Sequence, residues 1–187
     1  MATHRQHLET NVTYFVTFTC YKWLPLFEIT NTYKTVYNWF SIIQSKGAQV
    51  VGYVIMPNHV HCLIHMNNAE LNLNTLVGNG KRFIAYKIVE TLKTQKKEDI
   101  LTILKDGVQA KERVKGKKHQ VFKLSFDAKI CLDEKMLEQK LDYIHSNPVQ
   151  GKWSLTNDFT NYAHSSAGFY EKGETGKVSI THYKDIG

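Results

Sequence analysis

A chain of 187 residues with 42% hydrophobic and 12% aromatic side chains predicts one ordered domain over 1–187 with a substantial core. The start of the chain, 1–9, is polar, and no apolar run approaches the roughly 20 residues that span a bilayer, so we expect a cytoplasmic protein with no membrane partner. The three widely spaced cysteines form no CxxC pair, which favours reduced thiols over a disulfide framework.

The net charge of +7 is concentrated in one part of the chain. Residues 81–123 contain 13 of the 24 basic residues but only 5 of the 17 acidic ones, so the remainder of the chain is nearly neutral. A focused positive surface attracts phosphate backbones and gives salt-dependent binding. The alternative is a lysine-rich loop that is simply solvated.

The first half of the chain alternates between strand and helix patterns. Residues 14–21 are rich in β-branched and aromatic side chains and predict a strand. Polar residues at 30–32 can cap a helix that ends at Gly47. Residues 49–56 and 59–66 predict two further strands, and the tight connection between them makes these strands an antiparallel hairpin.

The second half begins with a predicted helix over 74–92, which two glycines interrupt. The polar, basic segment 93–118 is predicted to be mobile, with an exposed turn or loop at 112–118, and 120–125 is predicted to be a fourth strand. Asp133 can cap a helix that continues to Ser146. The buried stripe expected for this helix comprises Leu137, Leu141 and Ile144.

The predicted order of elements is β-α-β-β-α-β-α. This order is typical of an α+β fold in which an antiparallel sheet carries helices packed on one face. A leader, 1–10, and a tail, 171–187, are expected to lie loosely outside this core.

Two histidines flank a single residue in the third predicted strand. Because side chains alternate across a strand, His59 and His61 share one face while Val60 points to the other. Imidazoles roughly 7 Å apart along one strand face can converge on one cation. The alternative is a pair of histidines that is incidental to any metal site.

A tyrosine and an asparagine lie one turn apart on the last predicted helix. Tyr143 and Asn147 share a side that is distinct from the core stripe, and Lys140 lies one turn before Tyr143. A phenol is a poor nucleophile until its proton is removed or its anion is stabilised, and a nearby divalent metal or cation helps with both. A metal-assisted tyrosine nucleophile, and hence strand transfer on DNA, is the resulting hypothesis. Simple packing of the tyrosine and an ordinary Asn-Pro helix end are the alternatives.

These motifs resemble those of a known family. The segment VIMPNHVHCLI at 54–64 looks like the HUH strand of the single-tyrosine transposases, and YIHSNPV at 143–149 looks like their nucleophile helix. The Asn-Pro-Val form, followed by YAHSS at 162–166, is most similar to the branch called REP-associated tyrosine transposases. The resemblance covers 12–170 and implies a ferredoxin-like fold with the HUH pair on a central strand.

The resemblance also implies roles for individual residues. His59 and His61 would bind Mg²⁺ or Mn²⁺, and Asn147 has the position at which the family supplies its third ligand. Tyr143 would attack a phosphodiester in single-stranded, hairpin-associated DNA and leave a 5′-phosphotyrosine link and a free 3′-hydroxyl. We expect the DNA backbone to be contacted by Lys81, Arg82, Lys115, Lys117, Lys118 and Lys140.

Three functions are compatible with these patterns. The first is an active DNA transposase or a host-retained relative, and the intact metal and nucleophile residues favour it. The second is a catalytically idle or domesticated protein that binds nucleic-acid hairpins. The third is a relaxase or replication initiator, although those proteins are usually larger and lack the Asn-Pro-Val ending. The resemblance leaves both a monomer and a homodimer open.

Overall fold

The computed structural model describes residues 9–68, 70–151 and 153–186, so residues 1–8 of the expected leader lie outside the described part. Its four strands form one antiparallel sheet with the order β2-β3-β1-β4. The strands are β1 (Val12–Thr19), β2 (Gln49–Met56), β3 (His59–Met66) and β4 (Asp127–Cys131). This order is ferredoxin-like, and the predicted α+β class is confirmed.

Helices connect and cover the strands. The helices of the described residues are α1 (Leu26–Thr30), α2 (Tyr33–Ser45), α3 (Leu73–Thr94), α4 (Glu98–Asp106), α5 (Ala110–Val114), α6 (Glu134–Ser146) and α7 (Ala167–Lys172). Within the part of the chain that the structure describes, no helix combines the length and apolar character that crossing a membrane requires.

The helices cover both faces of the sheet. α2 and α3 pack on one face, where Val60 and Ile64 of β3 enter the larger core. α6 lies on the opposite face, where Leu141 and Ile144 pack against Leu63. The expected packing on one face therefore applies to α2 and α3 but not to α6. The physical reason is that β2 and β3 are buried along almost their whole length, and β2 places apolar side chains on both faces, so the sheet needs cover on both sides.

The position of α6 follows from its cap and from one glycine of the sheet. The Asp133 side chain accepts a hydrogen bond from the Met136 backbone N–H at 2.7 Å, so the helix begins as predicted. Gly52 lies at the irregularity in β2, and a Cβ atom at this position would collide with the Leu141 side chain. The glycine therefore allows α6 to lie close against β2.

The basic segment 93–118 contains α4 and α5, and α5 extends into the first part of the turn or loop expected at 112–118. One face of α4 packs in the larger core through Ile100, Leu101 and Leu104. Many lysines surround these three residues, so the overall composition of the segment does not indicate a helix.

The fourth strand lies later in the chain than the predicted 120–125. In that segment Phe122 forms only an isolated bridge with Cys20, whereas the strand itself is β4. β4 pairs with β1 at the edge of the sheet and exposes Asp127 and Lys129. Because these charged side chains face solvent, they interrupt the apolar pattern by which a strand is recognised.

The described part of the C-terminal region is packed rather than loose. The backbone N–H of Thr181 donates to the Val50 carbonyl at 3.0 Å, and the Tyr183 hydroxyl donates to the Glu138 carboxylate at 2.7 Å. Before this tail, the segment around His164 pairs with the free edge of β2 through the Ile55 N–H. These contacts cover an edge that would otherwise expose unpaired backbone groups.

Candidate active site

The two histidines of the HxH motif lie on the face of β3 that α6 covers. The ring centroids of His59 and His61 are 4.7 Å apart, and the two side chains are 7% and 5% exposed. His65 shares this face at the far end of the strand, where its Nδ1 lies 3.0 Å from the Thr13 hydroxyl. The structure thus brings together the pair that the spacing predicted and keeps His65 apart from it.

A neighbouring polar side chain engages the Nδ1 atom of each imidazole. His59 Nδ1–H donates to the Asn58 side-chain oxygen at 2.6 Å. His61 Nδ1 lies 2.7 Å from the hydroxyl of Thr17, its partner across the β1–β3 ladder. A histidine that binds a metal through one ring nitrogen generally donates its other N–H to such a group. The arrangement therefore leaves the Nε2 atom of each ring as the candidate ligand.

Burial keeps both imidazoles uncharged. It lowers the pKa of His59 to about 4, against the opposing effect of the nearby Asn147 amide. Burial, followed by the charges of His59 and Lys140, lowers the pKa of His61 to about 3. Neutral imidazoles are the form that binds metal ions, so the pair can accept a cation at neutral pH without first losing protons.

The C-terminal end of α6 lies beside the histidine pair. The Tyr143 ring is 5.2 Å from the His61 ring and 6.0 Å from the Phe15 ring, both edge-on, and its side chain is 47% exposed. The Asn147 side-chain nitrogen donates to the Tyr143 carbonyl at 3.1 Å, and the same amide lies beside the His59 ring. The solvent-accessible phenol of Tyr143 therefore lies next to the two buried imidazoles. The Asn147 amide lies between the end of α6 and β3.

The side chains in this cluster have the chemistry of a divalent-metal site. His59 and His61 offer imidazole nitrogens, and the amide oxygen of Asn147 remains available as an acceptor when its nitrogen donates to the backbone. Mn²⁺ accepts such a mixed nitrogen and oxygen set, whereas Mg²⁺ prefers oxygen. Among the described residues no three His, Cys, Asp or Glu side chains converge, so a third protein ligand from this cluster would be Asn147 rather than a carboxylate.

Sequence reasoning missed the residues that hold the histidines. Phe15 stacks on His61 with 5.4 Å between ring centroids, and Thr17 bonds to the same ring. Both belong to β1, more than forty residues away, and no local pattern in the sequence reveals which strand lies beside β3. Asn58 could have been identified, because it directly precedes His59 in a turn.

The residues expected to contact DNA occupy different environments. Lys140 lies beside the site, with its ammonium 5.0 Å from the centre of the Phe15 ring. The Lys81 ammonium donates to the carbonyls of Lys123 and Ser125 at 2.9 and 3.0 Å. Burial and the nearby charge of Lys117 lower the pKa of Lys81 to about 8. Lys81 therefore anchors the 123–125 segment and lies close to Lys117.

The remaining basic residues are more open to solvent. The Arg82 guanidinium lies 5.0 Å from the Phe83 ring, and the exposed Lys115 is 3.8 Å from the Glu112 carboxylate. Lys118 is one of three lysines, with Lys93 and Lys105, whose charges together with burial lower the pKa of His119. Positive charge is thus gathered around the end of α3, α4 and the segment that follows α5.

This basic region continues to the histidine pair. The Lys123 ammonium, whose backbone Lys81 holds, lies 4.5 Å from the centre of the Trp23 ring. Trp23 in turn meets the His59 ring edge-on at 5.9 Å. A chain of contacts therefore runs from Lys81 through Lys123 and Trp23 to His59.

Comparison with family models finds no match, and no curated protein matches the chain. Among solved structures, the chain is similar to a REP-associated tyrosine transposase bound to a REP hairpin. The TM-score is 0.62 at 15% sequence identity, and the match covers 97% of this chain and 92% of the other. The resemblance that the two motifs indicated is therefore confirmed at the level of architecture: this chain has the fold of a REP-associated tyrosine transposase.

Proposed function

We propose that this protein is a metal-dependent tyrosine transposase that cleaves and rejoins single-stranded DNA beside hairpins or inverted repeats. The observation that carries the proposal is the meeting of Tyr143 with His59, His61 and Asn147 at one end of α6. The shared fold of a transposase that binds a DNA hairpin supports the same reaction class.

The proposed reaction uses the side chains of this cluster. Mg²⁺ or Mn²⁺ held by the two histidines and Asn147 would polarise the phosphoryl oxygens. The Tyr143 oxygen loses its proton to solvent and bonds to phosphorus while the bond from phosphorus to the 3′ oxygen breaks, and the 3′ oxygen takes up a proton from solvent. The products are a 5′-phosphotyrosine link and a free 3′-hydroxyl. A later attack by a 3′-hydroxyl reverses the exchange and conserves the bond energy, so the reaction needs no ATP.

The neighbouring residues position these groups and supply charge. Thr17 and Asn58 orient the imidazoles through the Nδ1 atoms. Lys140 lies close enough to affect the pKa of His61, and its positive charge would attract a phosphate to the same place. The basic surface that includes Lys117 would hold the DNA backbone in register with the site.

A covalent-adduct assay tests the proposal. The protein is incubated with labelled single-stranded hairpin DNA carrying the native flanks and Mn²⁺, then denatured in SDS. We expect a labelled band of protein with covalently attached DNA. No such band should form in a parallel reaction in which EDTA replaces the metal. Tight hairpin binding without an adduct on any native flank would contradict the proposal.

The second candidate is a catalytically idle hairpin-binding protein. The observation that favours it is the basic surface itself, because phosphate contacts alone supply affinity for a nucleic acid without any chemistry. The adduct assay separates the two candidates, since an idle binder retains the DNA only until the protein is denatured.

Charge reversal in the basic segment is expected to weaken DNA binding. Changing Lys115, Lys117 and Lys118 to glutamate should reduce affinity and lower the slope of log K against log salt by about 2, because each lost phosphate contact removes about 0.7–0.9. The slope is measured by titrating a labelled hairpin between low and moderate salt.

A matched variant controls for net charge. Lys34, Lys46 and Lys135 are exposed and lie outside the basic segment, so their change to glutamate alters the net charge equally. If both triple variants lowered the slope by the same amount, the three segment lysines would not be specific phosphate contacts.

Removal of the asparagine amide is expected to weaken metal binding. Asn147→Ala should raise the Mn²⁺ concentration for half-maximal cleavage at least about tenfold, because one of three protein ligands is lost. Excess Mn²⁺ should restore most of the rate. Ser146→Ala is the control, since the Ser146 hydroxyl also donates to the Tyr143 carbonyl, at 3.3 Å. A fall in maximal rate with unchanged Mn²⁺ dependence would contradict the assignment of Asn147 as a ligand.

A further inference from the structure

We propose that Trp23 is the base-stacking residue of this site and that its indole holds an unpaired base next to the scissile phosphate. The inference rests on the proposed function, because it takes single-stranded DNA as the molecule that occupies the site. It assigns to Trp23 a positioning role that neither motif contains.

Trp23 combines exposure with contact to a candidate metal ligand. It ends a short 3₁₀ turn, Tyr21–Trp23, that follows β1, and its ring meets His59 edge-on at 5.9 Å. Its side chain is 51% exposed, whereas Trp39 is 5% exposed. Trp153 packs against the apolar residues between α6 and the sheet, which include Leu63 and Leu141. Trp23 therefore contributes little burial to the fold and presents its indole to solvent at the edge of the histidine pair.

One buried amide links the position of Trp23 to that of His59. The Asn58 side-chain nitrogen donates to the Trp23 carbonyl at 3.3 Å, while its oxygen accepts the hydrogen bond from His59. Asn58 is itself 1% exposed. The backbone N–H of Trp23 also donates to the Cys20 carbonyl at 3.1 Å. Asn58 therefore helps to hold both the Trp23 backbone and the His59 ring in position.

The backbone of the turn is held in an unusual conformation. Lys22 and Trp23 have φ values of 51° and 59°, in the left-handed region that bulky side chains rarely adopt. Such conformations persist where the surrounding contacts impose them, and they concentrate at functional sites. Core packing does not explain the positive φ of Trp23, because its side chain is half exposed.

The charges around the indole match those of a nucleotide. The Lys123 ammonium lies 4.5 Å from the ring centre, and Lys22 is the adjacent residue in the turn. A base stacked on the indole would bring its phosphate into this positive environment. Aromatic stacking tolerates all four bases, so the ligand is an unpaired nucleotide of any sequence rather than a specific base.

The test combines protein variants with DNA that lacks single bases. Trp23→Ala should slow adduct formation about tenfold at limiting DNA concentration, and Trp23→Phe should recover most of the rate. Abasic nucleotides are introduced one at a time on both sides of the scissile phosphate. At one position the abasic nucleotide should slow adduct formation by the wild type about as much as Trp23→Ala does on intact DNA. At that position the abasic nucleotide should not slow Trp23→Ala any further.

Tyr86→Ala is the matched control. Tyr86 is 63% exposed on α3, and its ring contacts Phe83 rather than the histidines. This variant should show the full abasic effect. The stacking role would be wrong if the rate losses caused by Trp23→Ala and by the abasic nucleotide multiplied at every position. It would also be wrong if Trp23→Ala cleaved as fast as the wild type. In either case the proposed function would still stand.

A binding measurement separates failure of the inference from failure of the proposed function. The fluorescent base 2-aminopurine is placed at each flanking position of the hairpin DNA in metal-free buffer. Quenching with wild type and with Trp23→Phe, but not with Trp23→Ala, supports stacking even if no adduct forms. Equal quenching by all three proteins at every position would overturn the inference.

Discussion

Tyr143→Phe is expected to abolish the covalent adduct and to reduce DNA cleavage at least about a thousandfold. The substitution removes the oxygen that would bond to phosphorus and retains the ring. The edge-on contacts with His61 and Phe15, at 5.2 and 6.0 Å, involve only that ring, so the end of α6 should keep its position. Adduct formation in SDS and thermal unfolding are the two measurements.

Hairpin affinity provides the internal control for this variant. Because a single exposed hydroxyl is lost, affinity for the DNA should change little. Tyr86→Phe, an equally conservative change at an exposed tyrosine on α3, should form the adduct at the wild-type rate. An adduct of undiminished yield in Tyr143→Phe would mean that another side chain is the nucleophile.

His61→Gln is expected to eliminate metal-dependent cleavage while leaving hairpin binding nearly intact. Glutamine retains a polar group that can reach the Thr17 hydroxyl, but it lacks the imidazole nitrogen that would bind the metal. The loss of the stack on Phe15 should cost about 1–3 kcal/mol of the free energy of unfolding. The decisive measurement is the rise in melting temperature on adding Mn²⁺, which a metal-binding protein shows and a non-binding variant does not.

A second buried histidine controls for the effect of burial. His145 is 4% exposed, and its Nε2 lies 2.9 Å from the Ser166 hydroxyl, within the packing between α6 and β2. His145→Gln should therefore lower stability but retain the rise in melting temperature with Mn²⁺. If both variants responded to Mn²⁺ like the wild type, His61 would be a structural residue and the metal site would lie elsewhere.

Much of the geometry of the candidate site could be predicted because its parts are local in sequence. Alternation along β3 determines that His59 and His61 share a face, and helical spacing places Asn147, the residue directly after α6, on the same side as Tyr143. The Asp133 cap and the hairpin of β2 and β3 are also local, and the structure has both where they were expected.

The missed elements were those in which charge conceals a local pattern. α4 buries one face among many lysines, and β4 is an edge strand whose charged residues Asp127 and Lys129 face solvent. In both cases only a few apolar residues are buried, so the apolar signal is weak even though the element is well formed.

Which residues share a face within each element follows from the order of the amino acids, because periods of 2.0 and 3.6 residues are properties of the local backbone. Which elements meet depends on the packing of the whole fold. The β1–β3 register brings Thr17 to His61, Gly52 allows α6 to lie against β2 with Tyr143 beside the histidines, and the turn after β1 brings Trp23 to His59. These contacts join segments that are tens of residues apart, and complementary surfaces between distant segments leave no periodic pattern in either one.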